Sequence, residues 1–134
     1  MGALTLAGCA GTAPQATRGF PPLGDHPRIA LFPFENLTQH EEAGDLFHRI
    51  FIAELAHTGS CGVVEAADVD ATMLALNLRP AGTFTPDQFR AIGDSLRAPF
   101  VLLGTILESG TIRSGEGDLP AVGATLRLVE TATG

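Results

Sequence analysis

The spacing of apolar residues along the chain predicts an alternation of short strands and amphipathic helices. Four segments have the apolar runs or the two-residue alternation of β-strands: 28–32, 63–65, 100–107 and 122–129. Pro33 has no backbone N–H, so it is expected to end the pairing of the first strand, and residues 34–37 are expected to be a loop. The last strand alternates apolar and polar residues, which is typical of a strand with one face in water.

The first predicted helix runs from about residue 38 to His57, with Thr38 and Glu41 at the spacing of a capping box. Gly59 suits a left-handed exit from this helix. The residues at helical spacing, expected to form its buried stripe, are Ala43, Leu46, Phe47, Ile50 and Ala53. Ile52 and Leu55 fall on other faces, so the helix is either buried between two layers or in contact with a partner.

Two more helices are predicted, over residues 68–77 and from Thr85 onward. The second has strong start signals, with Thr85 as the cap and Gln88 at the box position, and its stripe is Phe89, Ile92 and Leu96. The glycine-rich residues 109–120 are expected to form a flexible hairpin connection. The order is β-α-β-α-α-β-β, which predicts an α/β fold with a mixed sheet and packed helices. The expected core contains Phe32, Phe47, Ile50, Val64, Phe89, Leu102 and Leu126.

Composition limits the classes of function. The chain of 134 residues has room for one domain, and its net charge of -7 argues against a nucleic-acid partner. No catalytic motif is complete. Thr58 occupies the first glycine position of a nucleophile elbow, and the glycine-rich stretch at 110–117 lacks the lysine of a phosphate-binding loop. We therefore expect no enzyme activity, no cofactor and no metal site.

The N-terminus resembles a bacterial lipoprotein signal. Leu6-Ala7-Gly8-Cys9 matches the lipobox, in which the cysteine thiol receives a diacylglycerol, and a small, polar segment follows it. This start has no basic residue and a short apolar core, so the true start is expected to lie upstream or the leader to have been trimmed. A chance match in an Ala/Gly-rich segment stays open. The resemblance assigns residues 1–8 to a residual signal and residues 9–26 to a tether with Cys9 lipidated, leaving 27–134 as the domain.

Several motifs in that domain, in one order, resemble two groups: the curli-secretion-type lipoproteins and the N-terminal domain of the Tol translocation protein. The motifs are a strand followed by Pro-Phe and Asn-Leu at 28–37, a Val-Val-Glu strand at 63–65 and an Asp-Val-Asp helix start at 68–70. They continue with a hydrophobic-Gly-Thr strand at 98–106 and Leu-Arg-Leu-Val with Thr-Gly at 126–134. Family members carry a final strand after this Thr-Gly, so the resemblance implies that a last strand is missing here.

The resemblance implies a non-catalytic protein on the periplasmic face of the outer membrane, held there by lipid on Cys9. Members serve secretion, cell-wall, flagellar or Tol assemblies, so the expected partners are envelope proteins. The residues expected to contact them are Ile52, Leu55, Thr125 and Arg127. The edge of strand 121–130 is expected to pair with another strand, including one from a second copy. A periplasmic protein that binds a small ligand or peptide, with residues 109–120 as a lid, is the alternative.

Overall fold

A computed structural model describes residues 25–80, 82–115 and 117–134 of the protein. These residues form one five-stranded sheet and three helices. The strands are β1 (Arg28–Leu31), β2 (Glu35–Asn36), β3 (Gly62–Val63), β4 (Phe100–Ser114) and β5 (Gly117–Glu130). The helices are α1 (Ala43–Thr58), α2 (Ala66–Ala75) and α3 (Pro86–Leu96). The α/β class is as expected from the sequence, but the order is β-β-α-β-α-α-β-β.

The additional strand is β2, in the segment that was expected to be a loop. Pro33 does interrupt the ladder, but the chain stays extended and pairs again with β4 two residues later. Glu35 lies opposite Thr105 and Asn36 opposite Ile106, in parallel register. The loop prediction was wrong because a proline removes one donor without turning the chain.

Strand β4 is the centre of the sheet. It pairs in parallel with β1 and β2 along one side and antiparallel with β5 along the other, and β3 pairs with the far side of β1. Beyond a bulge between Ile106 and Glu108, β4 and β5 continue as a two-stranded ribbon until Ser114 pairs with Gly117. A hairpin connection was expected over 109–120 and is present, but its length was wrong. Residues 109–114 and 117–120 pair as β4 and β5 instead of forming a flexible loop, because backbone pairing between consecutive antiparallel strands continues despite the glycines.

Helices cover both faces of the sheet. α2 and α3 pack on one face over a cluster of fully buried side chains that includes Ala30, Phe32, Val64, Val69, Phe89, Ile92, Val101 and Val129. α1 packs on the other face over Ile29, Leu31, Phe34, Phe100, Leu102 and Ile106. Strand residues alternate between these clusters, as the pleat requires.

Helix α3 follows its sequence signals closely. The Thr85 hydroxyl accepts a hydrogen bond from the Gln88 N–H (3.2 Å), and the Gln88 side chain accepts one from the Thr85 N–H (2.8 Å). Phe89, Ile92 and Leu96 are all buried. The capping box and the buried stripe predicted for this helix are confirmed.

Helix α1 begins later than predicted and without the expected capping box. The Thr38 hydroxyl donates to the Asn36 side-chain oxygen (2.8 Å) and accepts from the His40 N–H (3.1 Å), so it is committed to a turn before the helix. The helix starts at Ala43 with no side-chain cap on Glu42. Its left-handed exit at Gly59 (φ 64°) is confirmed.

The buried face of α1 also differs from the predicted stripe. Leu46 and Ile50 are each 51% exposed, whereas Phe47, Phe51, Ile52 and Leu55 pack, half-buried, against the cluster below. The ring of Phe34 sets this orientation, because it contacts Phe47 (5.7 Å between centroids) and Phe51 (5.8 Å). Of the expected core, Phe32, Val64, Phe89 and Leu102 are buried, Phe47 is half-buried, and Ile50 and Leu126 are substantially exposed.

Candidate functional site

The residues expected to contact a partner fall on two sides of the sheet. Ile52 and Leu55 are half-buried under α1, and part of their surface is used against the cluster there. Thr125 and Arg127 lie two apart on β5, so both project from the opposite face. The structure therefore groups these residues as two pairs on opposite faces of the sheet, Ile52 with Leu55 and Thr125 with Arg127. Cys9 lies outside the described residues.

Strand β5 forms one edge of the sheet. Its inner side pairs with β4 along its whole length, and among the described residues no strand pairs with its outer side. Eight consecutive residues, 119–126, carry no charged side chain, so most of this edge lacks the charges that usually discourage strand addition. Pro120 offers no N–H to an added strand, which leaves 121–130 as the segment best able to pair.

The ribbon formed by β4 and β5 beyond residue 106 carries apolar side chains in water. Ile112 and Leu119 lie opposite each other and are 58% and 50% exposed. Arg113 and Asp118 near the turn are 3.9 Å apart and exposed, a separation at which an ion pair contributes little stability. The other large apolar side chains exposed along the two strands are Leu107, Val122 and Leu126.

Beside this edge a shallow groove of about 260 Å³ lies on the same sheet face as Arg127. Thr105 of β4 and Thr125 of β5 are directly opposite each other and form its floor, and Glu35 of β2 lies on the far side of Thr105. The loop before α3 supplies one wall, with Thr83. Sequence reasoning missed Glu35 because its segment was expected to be a loop, and only the pairing of β2 with β4 places it here.

The charged groups of this groove are held by neutral neighbours. The Thr105 hydroxyl donates to the Glu35 carboxylate (3.3 Å), and the Arg127 guanidinium lies over the ring of Phe89, 5.9 Å from its centroid. Within the described ranges neither Glu35 nor Arg127 forms an ion pair. The groove thus presents one negative and one positive group on the same face.

A second unusual feature lies under α1. His48 packs edge-on against the ring of Phe34 (5.1 Å between centroids), and its Nε2 atom is buried with no hydrogen-bond partner among the described residues. Burial lowers the pKa of His48, while the backbone of Leu31 and the carboxylates of Asp45 and Asp70 act in the opposite direction. The imidazole is therefore favoured in its neutral form.

The cysteine of the described residues, Cys61, lies directly before β3. Burial raises the pKa of the Cys61 thiol, which keeps it protonated and weakly nucleophilic. In the part of the chain that the structure describes, no three His, Cys, Asp or Glu side chains come close enough together to hold a metal ion. None of the helices there has the length and apolar character needed to cross a bilayer.

No family model matches the chain, and no curated protein matches it. Solved structures do share its fold. The lipoprotein GNA1162 from Neisseria meningitidis superposes with a TM-score of 0.56 at 21% identity, over 79% of this chain and 73% of that one. LpoB from Escherichia coli superposes with a TM-score of 0.56 at 14% identity, over 97% of this chain and 75% of LpoB.

A third structure, the PelC dodecamer from Paraburkholderia phytofirmans, gives a TM-score of 0.55 at 23% identity, over 86% of this chain and 68% of that one. At these identities the comparisons establish the fold and not the role. The narrower resemblance to curli-type and Tol proteins stays a prediction. The described chain therefore shares its α/β fold with the lipoprotein GNA1162, with LpoB and with PelC.

Proposed function

We propose that the protein is a non-catalytic assembly or scaffolding module of the bacterial envelope, anchored to the periplasmic face of the outer membrane by lipid on Cys9. Its partners are envelope proteins of a secretion, cell-wall, flagellar or Tol-type system. The observation that carries the proposal is the outer edge of β5, a long strand that is unpaired among the described residues and has no charged side chain over residues 119–126.

Strand addition is the contact that this edge favours. An unpaired edge offers a row of N–H and C=O groups to another extended segment, and pairing satisfies them at once. The fold shared with a lipoprotein and with a protein that forms a dodecamer supports an envelope protein that works through protein contacts. A second copy of this chain is one source of the added strand.

The anchor is tested by changing Cys9→Ser in a chain expressed with a complete leader. Two or three acyl chains hold a protein stably on a bilayer, so the native protein is expected in the outer-membrane fraction and the variant in the soluble periplasmic fraction. Cys61→Ser is the matched control and should fractionate like the native protein. Membrane recovery of Cys9→Ser equal to that of the native protein would refute the anchor.

The contact strand is tested in cells with a photo-cross-linking residue at Val122, on the exposed ribbon. A discrete cross-linked product is expected there, and Ala124→Lys in the same chain should abolish it, because a lysine on an edge strand opposes strand addition. The control is a cross-linker at Leu74, an exposed residue of α2 that is not part of the β5 edge. Equal products from both positions, or none from Val122, would argue against the edge as the contact.

The alternative function, binding of a small ligand or peptide, was tied to residues 109–120 as a lid. Residues 109–114 and 117–120 are paired in the ribbon, so they are not the open loop from which the lid was expected. The groove beside β5 nevertheless supplies convergent polar groups, which such a function needs.

A further inference from the structure

We propose that the groove beside β5 binds a short zwitterionic peptide, with its amino group at Glu35 and its terminal carboxylate at Arg127. This site is independent of the scaffolding function, because it lies on the sheet face and leaves the outer backbone edge of β5 free.

The sheet register sets the distance between the two charges. Glu35, Thr105 and Thr125 lie on three adjacent strands, so the backbones of Glu35 and Thr125 are about 10 Å apart. Arg127 is two residues further along β5, about 7 Å from Thr125. The backbones of Glu35 and Arg127 are therefore about 12 Å apart. Side chains stand roughly perpendicular to a sheet, so the two charges are separated by a comparable distance, which suits the charged ends of an extended peptide of about three residues.

The neighbours of the two charges keep them available to a ligand. The Thr105 hydroxyl holds the Glu35 carboxylate with a single hydrogen bond, which leaves the carboxylate further acceptor positions. Phe89 is buried and fixed in the core, and its ring holds the Arg127 guanidinium on the groove side through a cation–π contact. Stacking on a ring face leaves the N–H groups at the guanidinium rim free to bind a carboxylate in pairs.

The floor and wall fit the amide groups of a peptide. Thr125 and Thr83 line the groove, and a threonine hydroxyl can both donate and accept a hydrogen bond. The groove is shallow and open, so it fits a ligand held by its ends better than an apolar one, which would need enclosure.

The experiment is an NMR titration of the full chain with three forms of trialanine: the free zwitterion, the N-acetylated peptide and the C-terminal amide. The free peptide should give saturable shifts at the amides of Thr105, Thr125 and Arg127, and each blocked form should bind about ten-fold more weakly. Because these three ligands are compared on the unchanged protein, the result does not depend on any variant folding.

Two substitutions assign each end of the peptide. Arg127→Gln should weaken the free and acetylated peptides but not the amide, and Glu35→Gln should weaken the free peptide and the amide but not the acetylated form. Arg113→Gln and Glu54→Gln, at exposed positions outside the groove, are the controls and should change nothing. The proposal would be overturned if no saturable shift appeared at millimolar peptide, or if the three forms bound equally well. It would also be overturned if either substitution weakened all three forms to the same extent.

Discussion

The two helical layers of this protein differ in how completely they cover the sheet. On one side, α3 fully buries Phe89, Ile92 and Leu96, and α2 adds Val69 and Met73. On the other side, the only residue of α1 that is fully buried is Gly44, and the large side chains of α1 stay half-exposed. The layer of α2 and α3 is therefore the closed one, and the layer of α1 is the open one.

Because of this difference, most of the packing energy is expected from the closed layer, whereas substitutions are expected to cost less in the open layer. Close-packed side chains lose both transfer energy and packing when they are truncated, whereas half-exposed ones lose only part of each. The open layer also contains His48, whose buried Nε2 lacks a hydrogen bond within the described residues. The α1 layer should therefore respond to pH and tolerate substitution, and the α2 and α3 layer should do neither.

The largest expected contrast is between two phenylalanines. Phe89→Ala in the closed layer should lower the free energy of unfolding by about 3–5 kcal/mol. Phe47→Ala in the open layer should cost about 1–2 kcal/mol, since that ring is only half-buried. Denaturant unfolding of both variants gives the comparison, and a Phe47 cost equal to that of Phe89 would mean that the α1 layer is closed.

A smaller contrast is expected between two helical glycines. A Cβ at Gly93 would overlap the Thr131 hydroxyl oxygen and lie 2.6 Å from the Thr131 Cβ, whereas one at Gly44 would lie 3.0 Å from the Asn36 Cβ. Thr131 cannot move freely, because its buried hydroxyl donates to the Ala98 carbonyl (3.0 Å). Glycine to alanine within a helix usually stabilises by about 1 kcal/mol. Gly93→Ala should nevertheless destabilise by about 1–3 kcal/mol.

Gly44→Ala should destabilise less than Gly93→Ala, by about 1 kcal/mol or less, because its Cβ would lie 3.0 Å from the Asn36 Cβ and 3.2 Å from the Phe34 carbonyl oxygen, a smaller overlap. Thermal unfolding of the two variants beside the native chain distinguishes them. If Gly93→Ala proved more stable than the native chain, the tight packing between α3 and the C-terminal turn would be wrong.

The open layer should lose stability in mild acid. Because burial lowers the pKa of His48 in the folded protein, the unfolded chain takes up the proton more readily. The stability that the neutral His48 side chain contributes is fully present above the unfolded-state pKa of about 6.5 and is lost as the pH falls below that value. Unfolding measured from pH 7.5 to 5 should show this decline, which His48→Phe removes and His57→Gln, in the exposed last turn, retains. A decline that is unchanged in His48→Phe would refute it.

The smallest effect is expected on the outer face of α1. Ile50→Ala should lower the free energy of unfolding by less than about 1 kcal/mol, because half of that side chain is already in water and alanine is the better helix former. Urea denaturation is sufficient to measure it. A loss of more than about 2 kcal/mol would mean that Leu46 and Ile50 lie on the buried face of α1, as the sequence predicted.

The same contrast explains what the sequence could predict. α3 has one apolar stripe, and its start signals lie within four residues of one another, so local chemistry decided both its cap and its buried face. α1 is apolar on several sides, so its orientation depends on Phe34, which lies outside the helix and is positioned by the pairing of the adjacent β2 with β4. Thr38 has the spacing of a capping residue, but its hydroxyl donates a hydrogen bond to the Asn36 side chain in the turn before the helix.

The candidate site was predictable only in part. The alternation on β5 predicted a strand with one face in water, and a strand places Thr125 and Arg127 on the same face. Its position at the edge was expected from the resemblance, which implied a missing final strand. Glu35 could not be assigned, because its position in the groove depends on parallel pairing across 70 residues of sequence. Pairing between segments that are distant in the sequence leaves no local pattern by which to predict it. A two-residue strand that follows a proline is also too short to show the alternation of a strand.

The most direct test of the central proposal, contact through the β5 edge, is light scattering on the purified full chain under reducing conditions at tens of micromolar. The native chain is expected to self-associate by pairing β5 with a second copy. Ala124→Lys, on that edge, should yield monomers, whereas Ala56→Lys, the same change at an exposed position of α1, should leave association intact. A native chain that is monomeric throughout this range, or the same oligomer in all three proteins, would contradict the proposal.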